Sequence, residues 1–488
     1  MIKHKISKYL GKPASGFTKA DIIKYMSENS IEMLNFRYVG GDGKLKTLNF
    51  VVNDLDYLEE ILTTGERVDG SSLFTHIDAE SSDLYVVPRY RTAFVNPFAT
   101  EPTVDILCSF YTAEGKPLPG APEELVRKSQ AALRQETGLT LEALGELEFY
   151  LFSEVDDIYS ITPQKGYHES HPFSKWEVIR LECMSIISSI GGRIKYGHAE
   201  VGNIIEGNME MVQHEIEFLP VPIEDAADQI VIAKWVIREV AYRYGLHVSF
   251  APKIVVGAAG SGMHIHMRLV KDGKNEMVDG ADLSVTAKKM IGGLLKNARS
   301  LSAFGNTVPT SFLRLVPHQE APTSICWGDR NRATLVRVPL GWRGVDNMLK
   351  DANPIEADDK NKWINKQTVE LRSPDGSAHI YNLLAGVASA VLYGLKWEGS
   401  LEYAQKLYLK AGSRDRESFP QLPESCFDCA DALLEERDVY EEYGVFTPHV
   451  IEGIAEDLKS YGDENLSERL FGDGEQLKKL VEDHLHCG

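Results

Sequence analysis

Apolar and polar positions along the chain alternate with two different periods, and the switches between them mark out the elements. Behind Thr18-Lys19-Ala20-Asp21 the spacing turns helical. A threonine hydroxyl and an acidic side chain three residues on can satisfy each other's backbone groups, so a short helix is predicted over DIIKYMSEN. Two strand-forming runs follow, IEMLNFRYV and KLKTLNFVV, joined by Gly40-Gly41-Asp42-Gly43. That turn chemistry predicts a hairpin. Further strands are expected in DLYVVPRYRTAFVNPF and TVDILCSFYT, so the opening of the chain reads as a small mixed α+β unit, largely sheet. The stretch GKPLPGAP, residues 115–122, is a Pro/Gly-rich boundary. Beyond it, EELVRKSQAALRQETG and IEDAADQIVIAKWVIREVAYRYG are helical by period, each with a strand-like run behind it, and the last hundred residues look mostly helical.

One pattern recurs inside the strand-forming segments: a polar–apolar–polar triplet. It appears as Glu146-Leu147-Glu148, His198-Ala199-Glu200, His264-Ile265-His266 and Glu370-Leu371-Arg372. On a strand, residues two apart share a face, so each triplet presents two ionisable groups on one side and an apolar group on the other. Taken singly, each suits the wet face of an ordinary amphipathic strand. Together they hold four Glu, three His and one Arg, with no Lys, which is an odd choice for a solvent face. Carboxylates gathered in one cavity repel each other and raise their own pKa values unless cations are present. Oxygen ligands with one or two imidazoles suit Mg or Mn better than zinc.

Composition narrows the classes. The 488 residues carry 52 Lys and Arg against 72 Asp and Glu, a net charge of -20, which disfavours nucleic acid or an anionic membrane surface as a general partner. No run approaches the length of a membrane span, and the N-terminal MIKHKISKYLGKP has no apolar core of a secretory signal, so a cytoplasmic address is expected. Six cysteines make no disulfide framework; Cys426 and Cys429 form a lone CxxC that reads as ordinary helix cysteines, since a zinc site needs four ligands.

Cationic groups gather late in the chain: Arg314, Arg330, Arg332, Arg337 and Arg372. Guanidinium groups grip phosphate and carboxylate with two hydrogen bonds. Metals plus arginines point to phosphoryl transfer, where catalysis is mostly positioning and charge neutralisation. There is no P-loop, dinucleotide fingerprint or nucleophile elbow. The Gly-rich run 257–262 precedes the strand with His264 instead of opening a helix, so a phosphate nest is the weaker reading.

These residues resemble the glutamine synthetase family. VDGSS (68–72), GELEFYLF (145–152), FAPK (250–253), GSGMHIHMRL (260–269), RLVPHQEAP (314–322), NRATLVRVP (331–339) and ELRSPDGSA (370–378) occur in the family's order, from about residue 17 to residue 430. The resemblance implies an α+β protein, with an N-terminal β-grasp domain over 1–115 and a catalytic domain with a curved antiparallel sheet over 116–488. It implies a homo-oligomeric ring with active sites between subunits, commonly a dodecamer, and ATP, glutamate and ammonium as substrates. By the same resemblance Glu148, Glu200 and Glu215 hold a first Mg or Mn ion, and Glu146, His264 and Glu370 a second. Arg314 and Arg372 hold glutamate near the Gly260 backbone. Arg332 and Arg337 steady the transferred phosphate and ATP, and His266 lines the nucleotide side. Glu320 matches a flap glutamate, Asp69 a residue lent by the neighbouring subunit to take a proton from ammonium, and Tyr167 a tyrosine near the ammonium site.

The sequence also departs from the family pattern. Ala259 stands where an asparagine is usual, Arg268 where a serine is, and Thr368 where an arginine is; Lys366 is a candidate replacement near the nucleotide. About seven extra residues within NIIEGNMEM separate Glu200 from Glu215. These changes leave two alternatives to ammonia ligation: a γ-glutamyl ligase for a larger amine, and a non-catalytic relative, which should have lost a metal ligand.

Overall fold

The computed structural model describes residues 3–75, 77–156, 158–316, 321–342, 348–356, 365–410, 418–470 and 473–488. The expected capping box forms at Thr18: its hydroxyl accepts from the Asp21 amide, Asp21 returns the bond to the Thr18 backbone, and helix α1 (Lys19–Glu28) follows. Strands β1 (Met33–Val39) and β2 (Leu45–Val51) make the predicted hairpin, and helix α2 (Leu55–Thr64) leads into β3 (Glu66–Asp69), β4 (Asp83–Pro88) and β5 (Thr103–Tyr111). The sheet runs β2-β1-β5-β4-β3, with β1 parallel to β5 and the other pairs antiparallel. Its core is a separate apolar cluster that includes Ile22, Phe36, Leu62, Ile106 and Phe110. This is the β-grasp domain.

Helix α3 (Pro122–Thr137) starts at the Pro/Gly boundary, with Pro122 in its first turn, where a missing N–H costs nothing. The catalytic sheet then forms from β6 (Thr140–Glu154), β7 (Ile194–Glu206), β8 (Met209–Phe218), β9 (Ile265–Lys271), β10 (Trp327–Asp329), β11 (Val336–Val338) and β12 (Val369–Leu371). Their order is β10-β11-β12-β9-β6-β8-β7, with β10 and β11 parallel and the rest antiparallel. Helix α4 (Ile223–Arg243) covers the inner strands, and α5 (Ile380–Lys396), apolar on nearly every side, is packed against α3. The sheet can therefore bury one face in core and keep the other for polar chemistry. Cys426 and Cys429 begin helix α6 (Cys426–Glu435), capped by Ser425 and buried, and both are free thiols. Helix α7 (Pro448–Lys459) packs against α6. Among the described residues no helix is long and apolar enough to cross a membrane.

Candidate active site

Strand register brings the triplets together. On β6, Glu146 and Glu148 point to one face; β8 sets Glu217 opposite Glu146 and Glu215 opposite Glu148. On the far side of β8, β7 sets His198 opposite Glu215. On the other flank the His264 carbonyl accepts from the Glu146 amide, and β12 sets Glu370 opposite His266. Next along, β11 brings Arg337 opposite Glu370. Except for Glu370, which is fully buried, these side chains line one open cavity of about 740 Å3.

Their contacts sort into two nests. Glu146 accepts from both imidazoles, His264 Nδ1 at 2.8 Å and His266 Nε2 at 2.8 Å. Glu370 lies 3.7 Å from His266 Nε2 and 3.8 Å from His264 Nδ1, and is paired with Arg337 Nη1 at 2.7 Å and with Arg372. The second nest holds His198, Glu200 and Glu215, with ligand-capable atoms of all three within 4.8 Å of one another. Glu148 sits beside it, its Oε2 taking the Gly262 amide at 2.8 Å and Gln213 Nε2 at 3.0 Å. Hydrogen at Gly262 is a requirement of this packing, because a Cβ there would stand 2.7 Å from Arg314 Nη2 and 2.8 Å from His264 Nε2.

The electrostatics carry the signature of a site built for cations. Burial, and then the neighbouring Glu200, push Glu148 up to about 8. Burial, with Glu146 and Glu148 behind it, raises Glu215 well above the usual carboxylate range. Burial works hardest to raise Glu146 and Glu370, but the charge of His266, together with His264 and, at Glu370, Arg372, outweighs it and holds both low. Burial and Arg372 bring His264 down to about 4, so it is neutral at neutral pH. Glu217 Oε2 is buried with no hydrogen-bond partner, and Glu217 groups with Glu146 and Glu215 as a third ligand-capable set. Hard oxygen donors with one imidazole or two are the set that Mg or Mn accepts. The donor set fits divalent ions.

Arg314 is buried, its Nη1 donating to the Ser373 carbonyl at 2.8 Å and Nη2 reaching the Arg372 carbonyl and His264 Nε2 at 3.2 Å. Gly260 lies beside it in the loop 250–262. At position 259 the backbone is held from both sides: the Ala259 amide donates to Gln164 Oε1 at 2.8 Å and its carbonyl accepts from Tyr150 at 2.8 Å. Ile204 and Met211 of the β7–β8 hairpin join Tyr150, Ala251, Ile254 and Ala258 in a small core under that loop. Arg332 is exposed at the mouth, its guanidinium 5.9 Å over the Tyr167 ring. Arg268 lines the opposite end, paired with Glu142 at 2.6 Å, near Thr368 and Lys366.

Besides the buried Glu370, one expected residue does not line this cavity, and another falls outside the described residues. Asp69, at the end of β3, is solvent-exposed and lines no part of it; the hydroxyls of Ser72 and Ser71 hold its carboxylate well below the usual range. Glu320 lies outside the described residues. Conversely, His198, Gln213 and Glu217 stand at the centre without having been singled out as ligands. A signal for Glu217 was present: Glu215-Ile216-Glu217 is a fifth triplet, in a strand that also carries Gln213.

Comparison with known proteins agrees across the chain. The glutamine synthetase catalytic domain model matches residues 120–462, and the glutamine synthetase β-grasp domain model residues 30–113. Glutamine synthetase of Clostridium saccharobutylicum is 33% identical over 388 residues, covering 78% of this chain and 80% of that one. That of Thermus thermophilus is 30% identical over 443 residues, covering 88% and 92%. Among solved structures, Plasmodium falciparum glutamine synthetase superposes with a TM-score of 0.77 at 19% identity, over 93% of this chain and 98% of that one. A GmaS–ADP complex gives 0.72 at 20%, over 91% and 96%.

Proposed function

The chain belongs to the glutamine synthetase family, and from that premise we propose that it joins ammonia to the side-chain carboxylate of glutamate at the expense of ATP. The observation that carries the reading is the pair of carboxylate–imidazole nests facing one arginine-rimmed cavity. One divalent ion would be held by Glu148, Glu200 and Glu215 with His198 alongside, and the other by Glu146, His264 and Glu370 with His266, whose nitrogen groups with Glu146 and Glu370, alongside. When bound, such ions neutralise the charge that grows as two anions approach.

The chain's own groups do the rest. Arg314 and Arg372 hold the glutamate carboxylates beside the Gly260 backbone. Arg332 and Arg337 steady the phosphoryl group. The glutamate side-chain carboxylate attacks the γ-phosphorus of ATP; the new C–O–P link forms as the bond to ADP breaks. Ammonium, drawn to the partner subunit's Asp69, loses its proton there, and the free ammonia attacks the acyl carbon. Phosphate departs with the bonding pair, leaving the amide. By the family resemblance, Glu320 helps keep water from the acyl phosphate, whose hydrolysis would waste it. Such sites lie between subunits of a ring, so the proposal includes a homo-oligomer, a dodecamer by resemblance.

A second reading shares every ligand: ligation of a larger amine. It is favoured by the wall beside Glu200, where Tyr167 is 46% exposed and stacks on His168 at 4.2 Å, which in turn meets His198 at 4.3 Å. A rim of rings suits an organic cation better than ammonium needs. Purified protein with Mg, ATP and glutamate should release phosphate only when ammonium is added. Much faster turnover with ethanolamine or a diamine would transfer the assignment to the second reading.

A further inference from the structure

The loop 250–262 has two faces. Lys253, Ala259, Gly260 and Gly262 line the catalytic cavity. On the other side Ala251, Ile254 and Ala258 pack against Tyr150, Ile204 and Met211. Apart from one bridge, Gly262 with Asp375, no residue of the loop pairs in a sheet among the described residues. What lies behind it therefore sets where its cavity face stands. Part of that backing comes from residues 484–488, which follow helix α8 (Gly474–Asp483) and lie beyond the matched catalytic domain.

Those five residues are fastened to two loops at once. Leu485 and Cys487 pack onto the small core beneath the loop 250–262. The Ser249 hydroxyl donates to the Leu485 carbonyl at 2.6 Å and accepts from the Ala251 amide at 3.1 Å, so one side chain joins the segment to the start of the loop. Arg238 donates to the Gly488 carbonyl and lies 5.0 Å over the Phe250 ring. Gly488 rests against the second loop, 372–378: a Cβ on it would stand 2.0 Å from the Gly376 carbonyl oxygen. The two loops carry Gly260 and Arg372, and Arg314 touches both. A Cβ on Gly260 would stand 3.0 Å from Arg314 Cγ, and Arg314 Nη1 donates to the Ser373 carbonyl at 2.8 Å. A shift of either loop therefore disturbs all three groups.

We infer that residues 484–488 are a strap that positions Gly260, Arg314 and Arg372, and through them sets the affinity for glutamate. None of the five touches substrate; they act by holding two loops at a fixed spacing. The far end of the cavity is fastened separately, with Arg268 held by Glu142, so ATP binding is left alone. A displacement of about 1 Å in a substrate-holding group is enough to cost a large factor in catalysis. The effect on glutamate rests on the roles proposed for those three groups; the fastening of the loop does not.

Three variants of the assembled, Mg-loaded protein test the strap. One lacks residues 484–488, Leu485→Asp sets a charge beneath the loop, and Leu485→Met keeps the apolar volume. Ammonium-driven phosphate release is measured against glutamate and against ATP. The deletion and Leu485→Asp should each raise KM for glutamate about tenfold and leave KM for ATP within about twofold. Leu485→Met should keep both values of the unaltered protein. Amide hydrogen exchange in 250–262 should quicken in the deletion and in Leu485→Asp. A simple loss of folded protein would lower kcat and move neither KM. An unchanged glutamate KM, equal rises in both KM values, or a fall in kcat alone overturns the proposal. If the deletion does not fold, Leu485→Asp decides. If the unaltered protein releases no phosphate with ammonium, the glutamine-forming reading falls and exchange decides the strap: quickened amides in 250–262 sustain it, and unchanged amides overturn it.

Discussion

Glu146 is the residue on which both imidazoles of the GMHIH segment converge. Changing it to Ala should abolish ammonium-dependent phosphate release while size-exclusion chromatography still finds the assembly; retained turnover would contradict the metal-site assignment. Glu148 makes a pH prediction with a definite sign. Its folded-state pKa, about 8, lies above its ordinary 4.5, so the folded protein holds a proton that the unfolded chain has lost. The stability this contributes is complete below pH 4.5 and drains away as pH rises through about 8. Metal-free protein should therefore show a falling contribution to Tm across that window. Added Mg, which needs the ionised carboxylate, should raise Tm more at the alkaline end than at the acid end. Equal Mg shifts at both ends would mean that Glu148 is no ligand.

At the scale of elements, register does the assembling. A slip of one residue between β6 and β8 would turn Glu215 and Glu217 to the core face and empty the site. The β7–β8 hairpin has a comparable supporting role under the loop 250–262. In the N-terminal sheet, Asp105 on β5 is fully buried and accepts from Arg37 Nε on β1 at 2.7 Å and from Asn35 at 2.8 Å. Arg37 also lies 4.6 Å over Trp235 of α4, which ties the two domains. Arg37→Met leaves that carboxylate unpaired and should cost about 3–5 kcal/mol, measured by urea unfolding. A loss under about 1 kcal/mol would show that Asn35 and Asn96 satisfy Asp105 alone.

For the whole molecule, the position of Asp69 is decisive. It lines none of the catalytic cavity of its own chain, yet the proposed chemistry needs it there. Co-assembled subunits, one kind carrying Asp69→Ala and the other Glu146→Gln, should be more active than either kind alone. A subunit with intact Glu146 can then receive an intact Asp69 from its neighbour. If mixing restores nothing, Asp69 does not act across the interface.

The four triplets, the arginines near 314–372 and the capped first helix were legible from the chain because each is a local periodicity, and local sterics and hydrogen bonding enforce periodicity without help from distant residues. What the linear order could not decide is which triplets share a layer. That depends on pairing between strands far apart in the chain, as with Glu146 and its neighbours Glu217, 71 residues on, and His266, 120 residues on. It also could not foresee that the side chains of Gln164 and Tyr150 would hold the backbone at Ala259. Nor could it anticipate that residues 484–488 would pack beneath the loop 250–262. Alternation fixes which way a side chain points, but only the folded sheet and the domain contact determine what it points at.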